Sequence, residues 1–126
     1  DVDFKFEHGE IEINTERGNH EIEITHSAEV QADMQGAYLS TYKVAGEEKR
    51  MLTTQFESHY AREAFPCVDE PEAKARFTII ITSDDAKDII LSNMPVEDEQ
   101  IVGESKRVRF MQTPPMSSYL VAFIAS

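Results

Sequence analysis

The chain has 126 residues, 40% hydrophobic and 29% charged, a composition typical of one soluble globular domain that buries a core of its own. Its formal net charge of −12 argues against nucleic acid as a partner, because a phosphate backbone requires a basic surface, and against docking on an anionic membrane. Cys67 is the only cysteine and cannot form an internal disulfide, so no oxidising compartment is needed and we expect a cytoplasmic protein.

The first 33 residues alternate between apolar and polar side chains, the pattern of strands with one buried face. Turn residues interrupt this alternation at His8-Gly9 and at Arg17-Gly18-Asn19, which predicts three short antiparallel strands. The apolar positions are Val2, Phe4, Phe6, Ile11, Ile13, Ile22 and Ile24. The opposite face carries Asp3, Glu7, Glu10, Glu12, Glu21 and Glu23. Because like charges on neighbouring strands repel, this acidic face must either be open to water or meet a basic partner, and we expect water.

The middle of the chain contains a predicted hairpin and a predicted buried strand. Residues 36–44 and 50–56 suit two strands joined by a turn at residues 46–49. Residues 75–82 are apolar at consecutive positions around Phe77-Thr78-Ile79-Ile80-Ile81. A run that is apolar on both faces predicts a central strand covered on both sides.

The last third of the chain is again rich in strand and turn signals. Residues 89–92 predict a short strand, and residues 100–102 and 108–111 predict a hairpin around Gly103. A rigid proline-containing link then leads to a last buried strand at residues 119–124. The sum is an all-β domain of roughly nine to eleven short strands, arranged as a sandwich or as saddle-like curved sheets. We expect at most one short helical turn, at residues 59–64.

Catalytic and metal-binding patterns are weak in this sequence. A zinc peptidase helix requires His-Glu-x-x-His, but Ile24 stands where the second histidine of the His20-Glu21 pair would be. A Cys67–His59 pair is conceivable, yet Pro66 and Val68 surround the thiol with apolar groups, which favours an inert cysteine. The nucleophile elbow Gly-x-Ser-x-Gly and a phosphate-binding glycine loop are missing from the sequence. We therefore predict neither catalytic residues nor metal ligands in this chain.

Residues 54–71 hold the densest mixture of chemical groups in the chain. Gln55 and Glu57 lie two positions apart at the end of a predicted strand, so their side chains point to the same side. A carboxylate beside an amide oxygen suits a bound ammonium group, since one supplies charge and the other a fixed acceptor. Two interpretations stay open on this ground alone: an amine site, or ordinary polar residues at a strand end.

Four segments of the sequence carry a recognisable pattern in a fixed order. They are MQGAYLSTY at 34–42, TQFE followed by ARxAFPCxDEPxxKAxF at 54–77, LSNMP at 91–95 and TPPMSSYLVAF at 113–123. Together they resemble the N-terminal domain of zinc aminopeptidases of the aminopeptidase N type, over roughly three-quarters of the chain.

This resemblance implies a β-rich domain that packs on a thermolysin-like catalytic domain, which holds the zinc. It implies that Gln55 and Glu57 line the first substrate subsite and that Glu57 helps to bind the free α-amino group at the peptide N-terminus. It also implies a cis peptide bond between Glu57 and Ser58. Arg62, Asp69 and Glu70 match strongly patterned positions, and we interpret them as an arginine–carboxylate brace that holds the loop.

The departures from the family limit what this chain does by itself. His-Glu-x-x-His is absent, so we expect no zinc binding and no peptide hydrolysis from this polypeptide alone. We expect one domain over residues 1–126, shortened at both ends relative to the family. If it normally packs on its own catalytic domain, an exposed apolar patch and some self-association should follow. The alternative is a standalone β-sandwich interaction module with no peptidase role.

Overall fold

The structure is a computed structural model that describes residues 4–126. Strands dominate these residues, so the predicted all-β class is confirmed. The strands are β1 (Phe4–Glu7), β2 (Glu10–Ile13), β3 (Gly36–Val44), β4 (Glu47–Gln55), β5 (Ile80–Ser83), β6 (Ile90–Ser92), β7 (Val96–Val102), β8 (Ser105–Phe110) and β9 (Phe123–Ala125). One helical turn, α1 (Ala61–Ala64), lies inside the stretch predicted for it. A 3-10 turn spans Ser118–Leu120.

The strands form three antiparallel sheets, with the orders β1-β2, β3-β4-β9-β6 and β5-β8-β7. β9, near the end of the chain, lies between β4 and β6, so the last strand completes a sheet that the middle of the chain begins. Among residues 4–126, no helix has the length and apolar character that a membrane crossing requires.

Both predicted hairpins of the middle and last thirds are present. β3 and β4 pair from Gly36↔Gln55 to Val44↔Glu47, so only Ala45 and Gly46 form the loop. Both loop residues have positive φ, 51° and 88°, which matches the twist of a two-residue hairpin turn. The turn is therefore tighter than the sequence predicted, and β4 begins three residues earlier. β7 and β8 pair around a turn with Gly103 at φ 64°.

The predicted third strand near the amino terminus is wrong. Within residues 4–33, β1 and β2 are the only strands, and they pair with each other around the expected His8-Gly9 turn. Ile22 and Ile24 lie outside any strand and are 51% and 43% exposed. Alternation produces a strand only where a neighbour accepts its backbone hydrogen bonds and covers its apolar face, and residues 4–126 supply neither here. Val2 and Asp3 lie outside the described residues.

The predicted central strand at 75–82 is also wrong in extent and in burial. β5 starts only at Ile80 and is an edge strand of its sheet. Phe77, Ile79 and Ile81 are half-buried, whereas Thr78 and Ile80 between them are exposed. Consecutive apolar residues predict burial on both faces, but here only one face packs on the core, as edge strands of antiparallel sheets allow. The strand predicted at 119–124 is likewise replaced by the 3-10 turn and the shorter β9.

Two small clusters make up the buried core of the part of the chain that the structure describes. The first is Phe56, Ala61 and Val121, and the second is Ile90, Val108 and Phe110. Half-buried Ile79 packs against both clusters, which joins the two larger sheets through residues just before β5. The first cluster sits directly behind the end of β4, the position of the candidate site.

Candidate functional site

The candidate site lies where β4 ends. Phe56, the first residue after the strand, is 1% exposed and belongs to the first core cluster. Because successive side chains of an extended segment point to opposite sides, Gln55 and Glu57 face away from that core, and both are exposed. The two predicted site residues therefore both point to solvent on the side opposite to the buried Phe56 side chain.

Aromatic contacts hold that anchor in place. The Phe56 ring meets the Phe65 ring edge-on with centroids 5.8 Å apart, and the Phe123 ring with centroids 6.3 Å apart. Edge-to-face pairs of this kind contribute about 0.5–1.5 kcal/mol each beyond the burial of their area. Phe65 follows α1 and Phe123 begins β9, so the Phe56 ring is held between two separate parts of the fold.

The chain turns sharply after Glu57. The Glu57–Ser58 peptide bond is cis, as the resemblance implied. The Tyr60 amide then donates to the Phe56 carbonyl at 3.0 Å, which closes the turn that leads into α1. Ser58 Oγ lies 2.8 Å from His59 Nδ1, and the His59 ring stacks on the Tyr60 ring with centroids 4.9 Å apart.

The predicted brace forms between Arg62 and Asp69. Asp69 Oδ2 accepts from both the backbone amide and the Nε of Arg62, each at 3.1 Å. The Arg62 guanidinium also donates to the Asp69 carbonyl at 3.0 Å. The second carboxylate oxygen, Oδ1, accepts from the Ser118 hydroxyl at 2.9 Å. One buried carboxylate thus ties α1, the loop after it and the 3-10 turn together.

The electrostatics of Asp69 follow from these partners. Its side chain is 3% exposed, whereas that of Arg62 is 54% exposed. Burial raises the pKa of the Asp69 carboxyl, but hydrogen bonds from the Arg62 side chain, the Arg62 amide and Ser118 outweigh burial, so the pKa lies below its ordinary value. The carboxylate is therefore the stable form in the fold, and charge-assisted hydrogen bonds of this type are stronger than neutral ones.

Glu70 does not take part in the Arg62–Asp69 contacts. Its side chain is exposed, and its backbone carbonyl accepts from the Ala73 amide at 3.0 Å. Among residues 4–126, the ion pairs are Arg62–Asp69 and Arg109–Glu97, so neither Glu70 nor Glu57 has an arginine or lysine within ion-pair distance. Glu57 therefore stands as an unpaired exposed carboxylate next to the anchored Phe56.

Sequence reasoning missed the residues that complete the brace from the far end of the chain. Ser117 and Ser118 are buried, and Ser117 donates to the Pro71 carbonyl. Lys74 Nζ donates both to that carbonyl and to Ser117 Oγ, each at 2.6 Å. Both serines belong to the patterned TPPMSSYLVAF segment, but a single sequence does not show which distant segment their hydroxyls contact.

The same two segments continue side by side beyond Ser117. The Ala75 and Met116 backbones exchange hydrogen bonds of 3.0 Å and 2.9 Å. The Phe77 amide donates to Thr113 Oγ1 at 3.0 Å, and Thr113 is 1% exposed. Residues 69–77 and 113–118 therefore run antiparallel as an irregular ladder of backbone and side-chain bonds.

The LSNMP segment joins this arrangement through Asn93. Its side-chain amide donates to the Leu120 carbonyl, and its side-chain oxygen accepts from the Ala122 amide, both at 2.8 Å. Ser92 adds a bond from its hydroxyl to the Ala122 carbonyl at 2.7 Å. Asn93 thus satisfies backbone groups between the 3-10 turn and β9 that no strand partner could satisfy.

The surroundings of Cys67 favour the protonated thiol. Cys67 is half-buried, and burial, followed by the nearby charge of Asp69, raises the pKa of its thiol, which disfavours the reactive thiolate. In the part of the chain that the structure describes, no three His, Cys, Asp or Glu side chains lie close enough to hold a metal ion. Residues 4–126 therefore do not fit a zinc site.

Comparison with known proteins gives a consistent result. The family model of the peptidase M1 N-terminal domain matches residues 2–120. The chain is 44% identical over 110 residues to aminopeptidase N of Lactococcus lactis subsp. cremoris, 86% of this chain and 12% of that protein. It is 47% identical over 103 residues to aminopeptidase N of Lactobacillus helveticus, 81% of this chain and 12% of that protein.

A plant protein extends the similarity beyond bacteria. Aminopeptidase M1-A of Oryza sativa subsp. japonica is 50% identical over 91 residues, 72% of this chain and 10% of that protein. The chain thus spans about one-eighth of the length of the curated bacterial relatives that it matches, which agrees with the domain-sized match. On the match over residues 2–120, the chain belongs to the peptidase M1 N-terminal domain family.

Proposed function

We propose that this chain is the non-catalytic N-terminal domain of a zinc metallo-aminopeptidase and that it contributes contacts to the α-amino group of a peptide substrate. Gln55 and Glu57 make those contacts, Glu57 as the charged acceptor and Gln55 as the neutral one. The observation that carries the proposal is their joint exposure on one side of the buried Phe56, with Glu57 unpaired by any cation of residues 4–126.

The chemistry of the two groups supports an amine ligand. A substrate ammonium can donate to a carboxylate and an amide oxygen at once, and a carboxylate without a partner in its own domain keeps its acceptor capacity for the ligand. When a catalytic domain closes over this surface, water is excluded and the Glu57 carboxylate requires a positive partner. An internal peptide bond offers no ammonium, so such a site would restrict cleavage to the peptide N-terminus.

In this proposal the two domains have different roles, with hydrolysis in the catalytic domain and amine binding in this chain. Because residues 4–126 do not fit a metal site, the zinc and the hydrolytic groups belong to the catalytic domain in this proposal. This chain holds the amine-binding side chains on a rigid base and closes one side of the cleft. Arg62, Asp69 and Ser118 act as positioning residues, because they brace the loop that follows Glu57.

The test is a substitution in the complete aminopeptidase that carries this domain. Glu57→Ala should lower kcat/KM on an amino-acid anilide by about 30- to 1000-fold, because removing one partner of a buried charged hydrogen bond costs roughly 2–4 kcal/mol. Gln55→Ala should lower it by less, since a neutral hydrogen bond contributes roughly 0.5–1.5 kcal/mol.

Glu70→Ala is the matched control, because Glu70 is a nearby exposed carboxylate that the proposal leaves out of the site. Its kcat/KM should stay within a factor of about two of the unsubstituted enzyme. An unchanged kcat/KM in Glu57→Ala, with zinc content and thermal stability preserved, would refute the amine-binding role.

The proposal has three further parts, which concern the activity of the isolated chain, its self-association and its location. Purified alone with zinc and an amino-acid anilide, it should give no turnover, and robust zinc-dependent turnover would contradict the non-catalytic role. Exposed apolar side chains, among them Ile89 at 65% and Val102 at 75%, should favour self-association at high concentration. We also propose a cytoplasmic location, which the lone free Cys67 permits.

A further inference from the structure

Gly36, the first residue of β3, lies directly opposite Gln55 at the end of the β3–β4 pairing. It is buried, although its neighbour Gln35 and its strand partner Gln55 are both exposed. Its φ is 66°, in the left-handed region that glycine adopts without steric cost. A buried glycine in this conformation, paired with a site residue, indicates that other segments approach its backbone closely.

Two segments occupy the space where a side chain at position 36 would stand. A Cβ added to Gly36 would lie 3.1 Å from Glu63 Oε2 and 3.6 Å from Glu63 Cβ, both in α1. It would also lie 3.5 Å from Gln31 Cγ. The flexible end of Glu63 can make room for a Cβ alone, but side-chain atoms beyond Cβ would have to displace Glu63 or Gln31 further.

The segment that contains Gln31 is itself fixed on β3. The Gln31 amide donates to the Ala37 carbonyl at 2.8 Å, and Gln31 forms a parallel bridge with Tyr38. Residues 31–37 therefore form a closed turn that contains Gly36. The Gln31 backbone cannot move away from position 36 without breaking this hydrogen bond, so the space is limited on that side.

Gly36 also contacts both ends of the segment that carries Glu57. Its backbone pairs with Gln55 at the start of that segment, and Glu63 packs against it at the other end. Between these two ends the chain turns from β4 into α1. The separation of β4 and α1, and with it the place of the Glu57 carboxylate, therefore depends on how closely α1 approaches Gly36.

We propose that Gly36 is a positioning residue for the amine site, a proposal that rests on the proposed function. Because it has no side chain, α1 packs directly against the start of β3 and closes the loop between Gln55 and Glu63. That loop places the Glu57 carboxylate where it shares one ammonium group with Gln55. Since a misplacement of about 1 Å can lower a rate by about 100-fold, a larger residue at position 36 weakens catalysis without removing any group that contacts the substrate.

Asparagine substitutions in the complete aminopeptidase test this role with a matched control. Asparagine tolerates the left-handed region better than most residues with a side chain, so the added backbone strain is small. Gly36→Asn places an amide group against Glu63 and Gln31. Gly103→Asn is the control, because Gly103 has nearly the same φ, 64°. Among residues 4–126, only its chain neighbours lie within 4 Å of a Cβ added there.

Gly36→Asn should lower kcat/KM on an amino-acid anilide by about 10- to 100-fold, mainly through a higher KM, because the amine is already held in the ground state. Gly103→Asn should stay within about twofold of the unsubstituted enzyme. The double variant Gly36→Asn/Glu63→Ala should recover most of the loss, since the new side chain then takes the space of the Glu63 carboxylate. Equal kcat/KM in the two asparagine variants, or a loss that Glu63→Ala does not relieve, would overturn the proposal.

A second comparison separates the role of Gly36 from the amine site itself. If Gly36 acts through Glu57, Gly36→Asn should lower kcat/KM by less than about threefold in an enzyme that already carries Glu57→Ala, because residues that act together are not additive. Equal losses in both backgrounds would mean that Gly36 only stabilises the fold and would overturn its positioning role. An unchanged kcat/KM in Glu57→Ala would refute the proposed function and this role with it. A loss in Glu57→Ala with none in Gly36→Asn would refute only the role of Gly36.

Discussion

The amino-terminal hairpin and the loop after β4 are built from similar residues, aromatic rings interleaved with carboxylates, yet their environments are opposite. Phe4 and Phe6 on β1 are 65% and 66% exposed, whereas Phe56 is 1% exposed. The carboxylates of the hairpin are exposed, whereas Asp69 is buried and bonded on both oxygens.

The difference lies in the partners that the rest of the chain supplies. Residues 113–123 return to the loop after β4 and offer Ser118, Thr113 and Phe123 to it. The Phe face of β1 and β2 receives no comparable segment among residues 4–126, and these strands pair only with each other. Aromatic and acidic residues therefore stabilise a structure only where another segment packs against the rings and donates to the carboxylates.

The sharpest test of this comparison is to replace one phenylalanine by alanine in each region. Phe56→Ala should lower the free energy of unfolding by about 3–5 kcal/mol, because it removes a buried ring and leaves a cavity in the first core cluster. Phe6→Ala should change it by less than about 0.5 kcal/mol, as expected for an exposed position. Urea denaturation followed by circular dichroism measures both. Similar losses in the two variants would mean that the hairpin is packed as firmly as the loop.

A buried carboxylate can be compared with an exposed one in the same way. Asp69→Ala should lower the free energy of unfolding by about 2–3 kcal/mol, because it leaves the Arg62 amide and the Ser118 hydroxyl without their acceptor. Glu97→Ala breaks the Arg109–Glu97 ion pair. Because both side chains of that pair are about half exposed, the free energy of unfolding should fall by only about 0–1 kcal/mol. Thermal denaturation of both variants gives the comparison, and a larger loss for Glu97→Ala would refute the special role of the brace.

The brace should also make stability depend on pH. The pKa of Asp69 is lower in the fold than in the unfolded chain, because the bonds from Arg62 and Ser118 outweigh the effect of burial. Its contribution is therefore fully present above the unfolded pKa of about 3.9 and is lost as pH falls through the folded pKa. In denaturation curves at successive pH values, the difference between the unsubstituted chain and Asp69→Asn should shrink on acidification. A constant difference would contradict this linkage.

The smallest expected effect concerns single hydroxyls. Ser118→Ala should lower the free energy of unfolding by about 1 kcal/mol, because it removes one hydrogen bond to the buried Asp69 carboxylate, which keeps its bonds to Arg62. Ser27→Ala, in the exposed amino-terminal region, should be neutral within about 0.5 kcal/mol. Differential scanning calorimetry resolves this difference, and equal melting temperatures for the two variants would show that Ser118 adds nothing to the brace.

Part of the fold follows from local sequence signals. The turn residues around Gly9, Gly46 and Gly103 each predicted a hairpin, and each hairpin is present. These signals are reliable because a two-residue loop with positive φ is a local requirement that few residues meet. The predicted helical turn at 59–64 is confirmed for a similar reason, since the apolar spacing there cannot fit an alternating strand.

The errors occur where burial depends on a distant neighbour. Ile22 and Ile24 alternate as strand residues do, but no partner strand accepts them among residues 4–126. Ile80 belongs to an apolar run, but its strand lies at a sheet edge and one face stays open. Periodicity describes how a segment would be buried and contains no information about whether something covers it.

The candidate site shows the same division. Spacing alone put Gln55 and Glu57 on one side, and the Arg62–Asp69 pair could be expected from the patterned loop. Ser118 could not, because it is 49 residues from Asp69 and a hydroxyl has no sequence pattern that names its acceptor. The sequence pattern predicts the same brace role for Asp69 and Glu70, and only the tertiary structure separates the buried carboxylate from its exposed neighbour.

The sequence by itself determined the strand-rich class, the tight turns, the family pattern and the orientation of Gln55 and Glu57 relative to Phe56. The tertiary structure decided which apolar faces are covered, which carboxylate is buried and which distant hydroxyl completes the brace. The physical reason is the range of the interactions: turn geometry and side-chain alternation act within a few residues, whereas burial and hydrogen-bond pairing depend on segments brought together only by folding.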